Sequence, residues 1–323
     1  MFGIIQGSEA GWTSPEILGA FSLAAVLLGR FALVELRTTH AMLPLRFFRQ
    51  RDFTGAVVII GMIIFAMLSA FFSLTQFLQL VQERTAFQAG LLIISAAAAM
   101  MMGAPIAGAA VKAIGPRYLA SAGIVSMTIG MILLSRLQID GGMLQVIVPL
   151  ALFGFGGGLV LAPLTDTVMA AVPVEDAGVG SAANDVSREL GGALGVAVIG
   201  SIVNGLYSSG VAESLAGSAT PQQVEAAREG IGGAVLASNG LAGPSVGSFL
   251  DAANNAFVDA ITKGFRISAA ILMVTLMAAL TLLPSRMRRS QAGLEAESFR
   301  SAVVEVPQVA RVAEDESLPD EAA

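Results

Sequence analysis

The chain has 323 residues, 55% apolar and 13% charged, with one histidine and no cysteine, and its mean hydropathy is +0.76. That balance excludes an ordinary soluble domain; the inventory excludes disulfides, cysteine catalysis and paired histidine ligands, so no cofactor or metal is expected. The net charge of -6 is local, because residues 291–323 hold 8 Asp/Glu against 2 Arg and the remainder balances at 16 against 16, which leaves no basic surface for nucleic acid.

The expected fold class is all-α, a polytopic membrane helix bundle. A hydrocarbon core of about 30 Å needs roughly 20 apolar residues of helix, and runs of this kind occupy 17–34, 55–80, 89–111, 118–137, 144–172, 190–207 and 267–283. Residues 1–14 read as an external segment, the end of a truncated helix and a loop, with no signal-peptide pattern. Residues 15–52 hold a linker span, with Arg30 placed to snorkel, and a basic loop containing Arg37, Arg46, Arg49 and Arg51. Further bases follow the third span (Lys112, Arg117) and the last (Arg286, Arg288, Arg289). The positive-inside rule puts these connections in the cytoplasm, and alternation puts residues 1–15, 82–88, 139–142 and 208–263 outside.

Within 53–284, the expected six-helix domain, the second span carries Gln76 and Gln79 toward its outer end, as the sixth carries Asn204. Such amides join helices or line a polar path. Lipid gives apolar helices no reason to associate, so contacts depend on small residues that let backbones approach. Ala99, Gly103 and Ala107 stack in the third span, Gly154 and Gly158 in the fifth, and Ala193, Ala197 and Ser201 beside Gly191 and Gly195 in the sixth. Each face reads as a helix contact. The glycines at 154 and 156–158 lie inside an apolar run, without the strand or Gly-Lys-Ser/Thr that a nucleotide loop needs. The fifth span exceeds a straight crossing, and tilt or a break near Pro163 absorbs the excess.

Asp166 follows in the same span, where a carboxylate costs about 2.5–3.5 kcal/mol on insertion scales. It either binds a proton or a cationic substrate, or lies at the cytoplasmic end as a cap or ion-pair partner. Asp185, Arg188 and Glu189 share one helical face. They form a gate latch or an ordinary solvated turn. In the outer connection, Thr220-Pro221-Gln222-Gln223 has capping-box spacing and predicts a short surface helix. Val246, Phe249, Leu250, Ala253, Phe257, Ala260 and Ile261 then repeat at helical spacing toward the last span, on the membrane or over the bundle. Residues 285–323 read as a disordered acidic cytoplasmic tail.

Four stretches resemble the fourteen-helix drug:proton antiporter family of the major facilitator superfamily, in its carboxyl-terminal half. They are Gly11-Trp12 with Ser14-Pro15; Glu35-Leu36-Arg37 with Leu43-Pro44-Leu45-Arg46-Phe47-Phe48; Gly108 through Gly115-Pro116-Arg117; and Ala177-Gly178-Val179-Gly180-Ser181-Ala182 followed by Arg188-Glu189-Leu190-Gly191-Gly192-Ala193-Leu194-Gly195-Val196-Ala197. The resemblance implies a linker helix plus a six-helix carboxyl-terminal domain in the plasma (cytoplasmic) membrane. It implies proton-coupled efflux of drugs or other small amphipathic molecules, performed with an amino-terminal half that is missing here. It also marks Gly108, Gly115 and Arg117, with Asp185, Arg188 and Glu189, as cytoplasmic gate candidates. Val111 or Lys112 stands where members often have an acidic residue, so a carboxylate latch is not expected at that loop. The expected partners are membrane lipid, a small-molecule substrate, protons and the missing half. The alternative is a non-transporting or degenerate membrane fragment that needs a partner half. No nucleophile elbow or metal-ligand set points to an enzyme.

Overall fold

A backbone crossing hydrocarbon must satisfy its own amides, which leaves helices or closed barrels, and the long apolar runs here are helices. The computed structural model describes residues 2–11, 13–37, 47–217, 219–239 and 245–285. Trp12, Arg46, the Arg286 cluster and the acidic tail lie outside them. In chain order come α1 (Phe2–Ala10), α2 (Pro15–Arg37), α3 (Arg51–Gln76), α4 (Ala86–Ile114), α5 (Pro116–Leu134), α6 (Leu144–Ala170), α7 (Ala177–Ser214), α8 (Pro221–Arg228), α9 (Ile231–Ser238) and α10 (Ser245–Leu282). Seven of these, α2 to α7 and α10, are long and apolar enough to cross a membrane.

The closest helix pairs are α4–α6, α5–α6 and α3–α7, and α10 packs against α3, α5 and α7 to tie the groups together. Backbone approach sets each pairing. A Cβ on Gly103 would fall 2.5 Å from the carbonyl oxygen of Phe155, and Gly158 faces the Met100 carbonyl from the other side. On α5, a Cβ on Gly123 would lie 2.6 Å from the Gly156 carbonyl oxygen, and one on Gly130 the same distance from that of Pro149. In α3–α7, Gly191 abuts the backbone of Gly61, and Gly195 that of Phe65. Ser187 adds a hydroxyl hydrogen bond of 2.5 Å to the Val57 carbonyl.

Several elements depart from the expected outline. The helix expected from 190 begins at Ala177 and runs 38 residues, about 57 Å at 1.5 Å per residue. The Asn184 to Glu189 cluster therefore sits inside a helix rather than at its first turn. The amphipathic stripe from Val246 runs into the last span without a break, as α10 is continuous for 38 residues, and of its two readings it packs on the bundle rather than the membrane, with Phe249, Ala253, Phe257, Ala260 and Ile261 buried. No break occurs at Pro163, since α6 stays helical through Pro149 and Pro163. Neighbouring helices accommodate the proline, and the Thr167 hydroxyl donates back to the Pro163 carbonyl at 2.7 Å. A π turn at Phe77–Val81 closes α3 with the amide of Gln82 donating to the Phe77 carbonyl at 3.0 Å. The short helix α8 begins with the expected capping box, Thr220 accepting from the Gln223 amide.

The connections sort to two ends. At one, Gln82 donates to the Ile139 carbonyl at 3.1 Å, joining the α3–α4 and α5–α6 turns. At the other, Gly115, at φ +87°, lets the chain reverse between α4 and Pro116, and Arg117 donates through Nε to the Leu283 carbonyl at 2.7 Å. The two turns expected outside are thus in contact, as are two connections expected inside.

Replacing Gly191 with leucine should force α3 and α7 apart and lower stability by more than the roughly 1–3 kcal/mol typical of overpacking. Gly90→Leu, at an exposed site where an added Cβ meets nothing within 4 Å, should be nearly neutral. The thermal unfolding midpoints of the two variants in detergent check this.

Candidate functional site

The face of α6 that meets α4 repeats as Gly158, Leu161, Ala162, Thr165 and Asp166, a three- and four-residue spacing that brings all five to one side of the helix. With Met100 and Ala104 of α4 and Arg188 of α7 they line a cleft of about 380 Å³. Gly158 sits at the floor of the cleft, where its backbone abuts Met100 and Ala104 of α4. Asp166 is exposed in this cleft, one turn before α6 ends at Ala170. Arg188 is half-buried and reaches the Thr165 hydroxyl with one guanidinium nitrogen at 3.4 Å, while its Nε is buried without a hydrogen-bond partner. Asp166 and Arg188 therefore stand in one cleft, without an ion pair among the described residues.

The remaining gate candidates do not join them. Asp185 and Glu189 are exposed on α7, and neither forms an ion pair with Arg188 among the described residues. Gly108 is exposed with open space around it. Gly115 and Arg117 belong to the α4–α5 turn, where Arg117 is engaged with the end of α10.

A second cavity, of about 370 Å³, opens toward the other end between α3, α7 and α10 and is bordered by α1 and the α8–α9 turn. Gln76 and Asn204 both line it, whereas Gln79 lies in the π turn and does not. Ser201, Tyr207 and Glu229 also line it, and none of the three stood out as a polar-path residue from sequence. Ser201 read as a packing residue and Tyr207 as the end of an apolar run. A helical projection of α7 would have found them, because 200, 204 and 207 repeat at helical spacing with 201 adjoining.

The family model described as Major Facilitator Superfamily matches residues 2–196, and the chain belongs to that superfamily of membrane transporters. The chain is similar to the multidrug resistance protein Stp of Mycobacterium tuberculosis, 34% identical over 203 residues, covering 63% of this chain and 38% of the relative. It is similar to the tetracenomycin C resistance and export protein of Streptomyces glaucescens, 26% identical over 285 residues, 87% of this chain and 53% of the relative. It is also similar to the multidrug efflux pump LfrA of Mycolicibacterium smegmatis, 27% identical over 260 residues, 80% of this chain and 51% of the relative. The chain thus spans about half or less of these relatives' length. Its family and relatives are transporters rather than enzymes.

Arg117→Ala should remove the tie between α5 and the end of α10. A hydrogen bond from a charged group contributes about 1.5–3 kcal/mol, and the half-buried position favours the lower end. The expected readout is a lower unfolding midpoint; an unchanged midpoint would mean that the bond is solvent-equivalent.

Proposed function

We propose that this chain is the carboxyl-terminal half of a proton-coupled exporter of small amphipathic molecules in the cytoplasmic membrane, with its basic connections on the cytoplasmic side. The observation that carries the reading is the common cleft of Asp166 and Arg188 between α4, α6 and α7. Charged groups inside membrane helices are rare and mark ion or substrate paths, and here opposite charges face one space without being locked together.

The proposed chemistry is simple. Ionised Asp166 attracts the Arg188 guanidinium, and the attraction grows as the cleft closes and water leaves. A proton on Asp166 cancels it and frees Arg188 to turn away. Thr165 holds the guanidinium in the interim. Proton binding thereby shifts the balance between closed and open forms of the cleft, because it interacts differently with the two. Exchange follows when substrate and proton favour opposite forms.

Secondary transporters bind near the midplane between two repeated halves, and this chain matches only about half or less of the length of the relatives named as resistance, export or efflux proteins. In this reading the exposed faces of α4 and α6 form one wall of a substrate path, and an amino-terminal half supplies the other. Asp185 and Glu189 belong to the solvated rim of the gate.

The test is pH-driven export of a fluorescent dye from vesicles, comparing the 323-residue chain with the same chain joined behind the preceding spans of a fourteen-helix relative. The extended form should export and the short form should not. Asp166→Asn in the extended form should lower proton-driven export about tenfold, equivalent to about 1.4 kcal/mol of lost coupling. Robust export by the short form would overturn the half-domain reading, and an unaffected Asn variant would overturn the role of Asp166.

A further inference from the structure

The cavity at the opposite end of the bundle plays no part in the exchange just described, and its chemistry differs from that of the Asp166 cleft. At about 370 Å³ it falls in the range of small-molecule sites, about 300–1,000 Å³. Phe72 and Phe257 supply aromatic wall, and the Tyr207 ring stands edge-on to Phe257 at 5.8 Å. The polar lining from the transmembrane helices, Gln76, Ser201, Asn204 and Tyr207, is uncharged. The one carboxylate, Glu229, is exposed in the turn between α8 and α9, at the rim.

Two of these polar groups have nothing to bond. The phenol oxygen of Tyr207, a residue only 1% exposed, and the half-buried Ser201's hydroxyl oxygen are both buried without a hydrogen-bond partner. Buried polar atoms are nearly always paired, and leaving them bare is costly. They lie six residues apart on α7, on either side of Asn204, so one face of one helix presents all three. A cation taken deep into this space would lose its hydration without meeting an opposite charge. An uncharged aromatic molecule with a hydroxyl or carbonyl group would instead complete both orphan groups and cover the phenylalanine rings.

We propose that this cavity, walled by α3, α7 and α10, is a binding site for neutral aromatic molecules bearing hydroxyl or carbonyl groups, held by Tyr207 and Ser201 and separate from the Asp166–Arg188 cleft. Tyr207 is the binding residue of greatest weight, and Glu229 touches only what remains at the rim. A ligand here would pack against α7 at the end opposite Arg188.

The experiment titrates the purified chain in lipid nanodiscs with 2-naphthol, followed by its fluorescence anisotropy, beside 2-naphthyltrimethylammonium as the cationic counterpart. The expected result is saturable naphthol binding, weakened about three- to tenfold by Tyr207→Phe, and a cation that binds at least about tenfold less well. Asp166→Asn should leave naphthol binding unchanged, so this site can fail or stand independently of the export reading. Tyr207→Phe removes an unpaired buried oxygen, so the empty variant should unfold at the same or a higher temperature, which separates lost binding from lost structure. Gly200→Leu, whose Cβ would lie 3.6 Å from the Phe72 ring, should fill the space and abolish saturable binding. Partition indistinguishable from empty nanodiscs, binding indifferent to both variants, or preference for the cation would overturn the proposal.

Discussion

The contact of one helix backbone with another at glycine sets the geometry of this bundle. In lipid, bringing apolar side chains together gains little, so the attraction between helices must come from close packing over a long contact. Gly103, Gly154 and Gly158 allow that between α4 and α6, and Gly61, Gly191 and Gly195 between α3 and α7. A Cβ added at Gly103, Gly154, Gly158, Gly191 or Gly195 would lie 2.0–2.5 Å from a carbonyl oxygen of the facing helix, so larger residues there would force the helices apart. α5 is held to α6 in the same manner, and α10 spans the groups.

These close approaches decide where space is left. Where α6 turns its small residues toward α4 and α7, the backbones stay close but the side chains do not fill the gap, and Asp166 and Arg188 stand in it. Where α3, α7 and α10 diverge at the other end, an aromatic-walled cavity with uncharged polar groups remains. The two spaces differ in chemistry for a structural reason. The first holds a carboxylate one turn from the end of α6 and a guanidinium well inside α7. The second is enclosed by long spans whose polar groups are amides and hydroxyls.

Much of the bundle was legible because length and hydropathy suffice for a spanning helix: the seven long apolar helices correspond to seven apolar runs in the sequence. The stacked glycines were legible for a similar reason, since a four-residue spacing can be read without knowing the partner. Helix ends outside the hydrocarbon were not. The start of α7 at Ala177 carries Asn184, Asp185 and Glu189, which hydropathy reads as a connection, yet the helix continues through them. The π turn at Phe77–Val81 leaves no mark in composition. Nor does the sequence show that Asp166 shares a cleft with Arg188, 22 residues away on another helix. Tyr207 and Ser201 escaped notice because their significance rests on what they fail to bond, a property of the folded chain alone.

Two spaces with different linings open at opposite ends of a glycine-locked bundle. The chain has no cysteine, so single cysteines can be introduced without background. Asp166→Cys and Asn204→Cys variants, probed in oriented vesicles with a membrane-impermeant maleimide, test the arrangement directly. Labelling of position 166 from the side of the basic connections and of position 204 from the other side is the predicted result. Labelling of both from one side would contradict it.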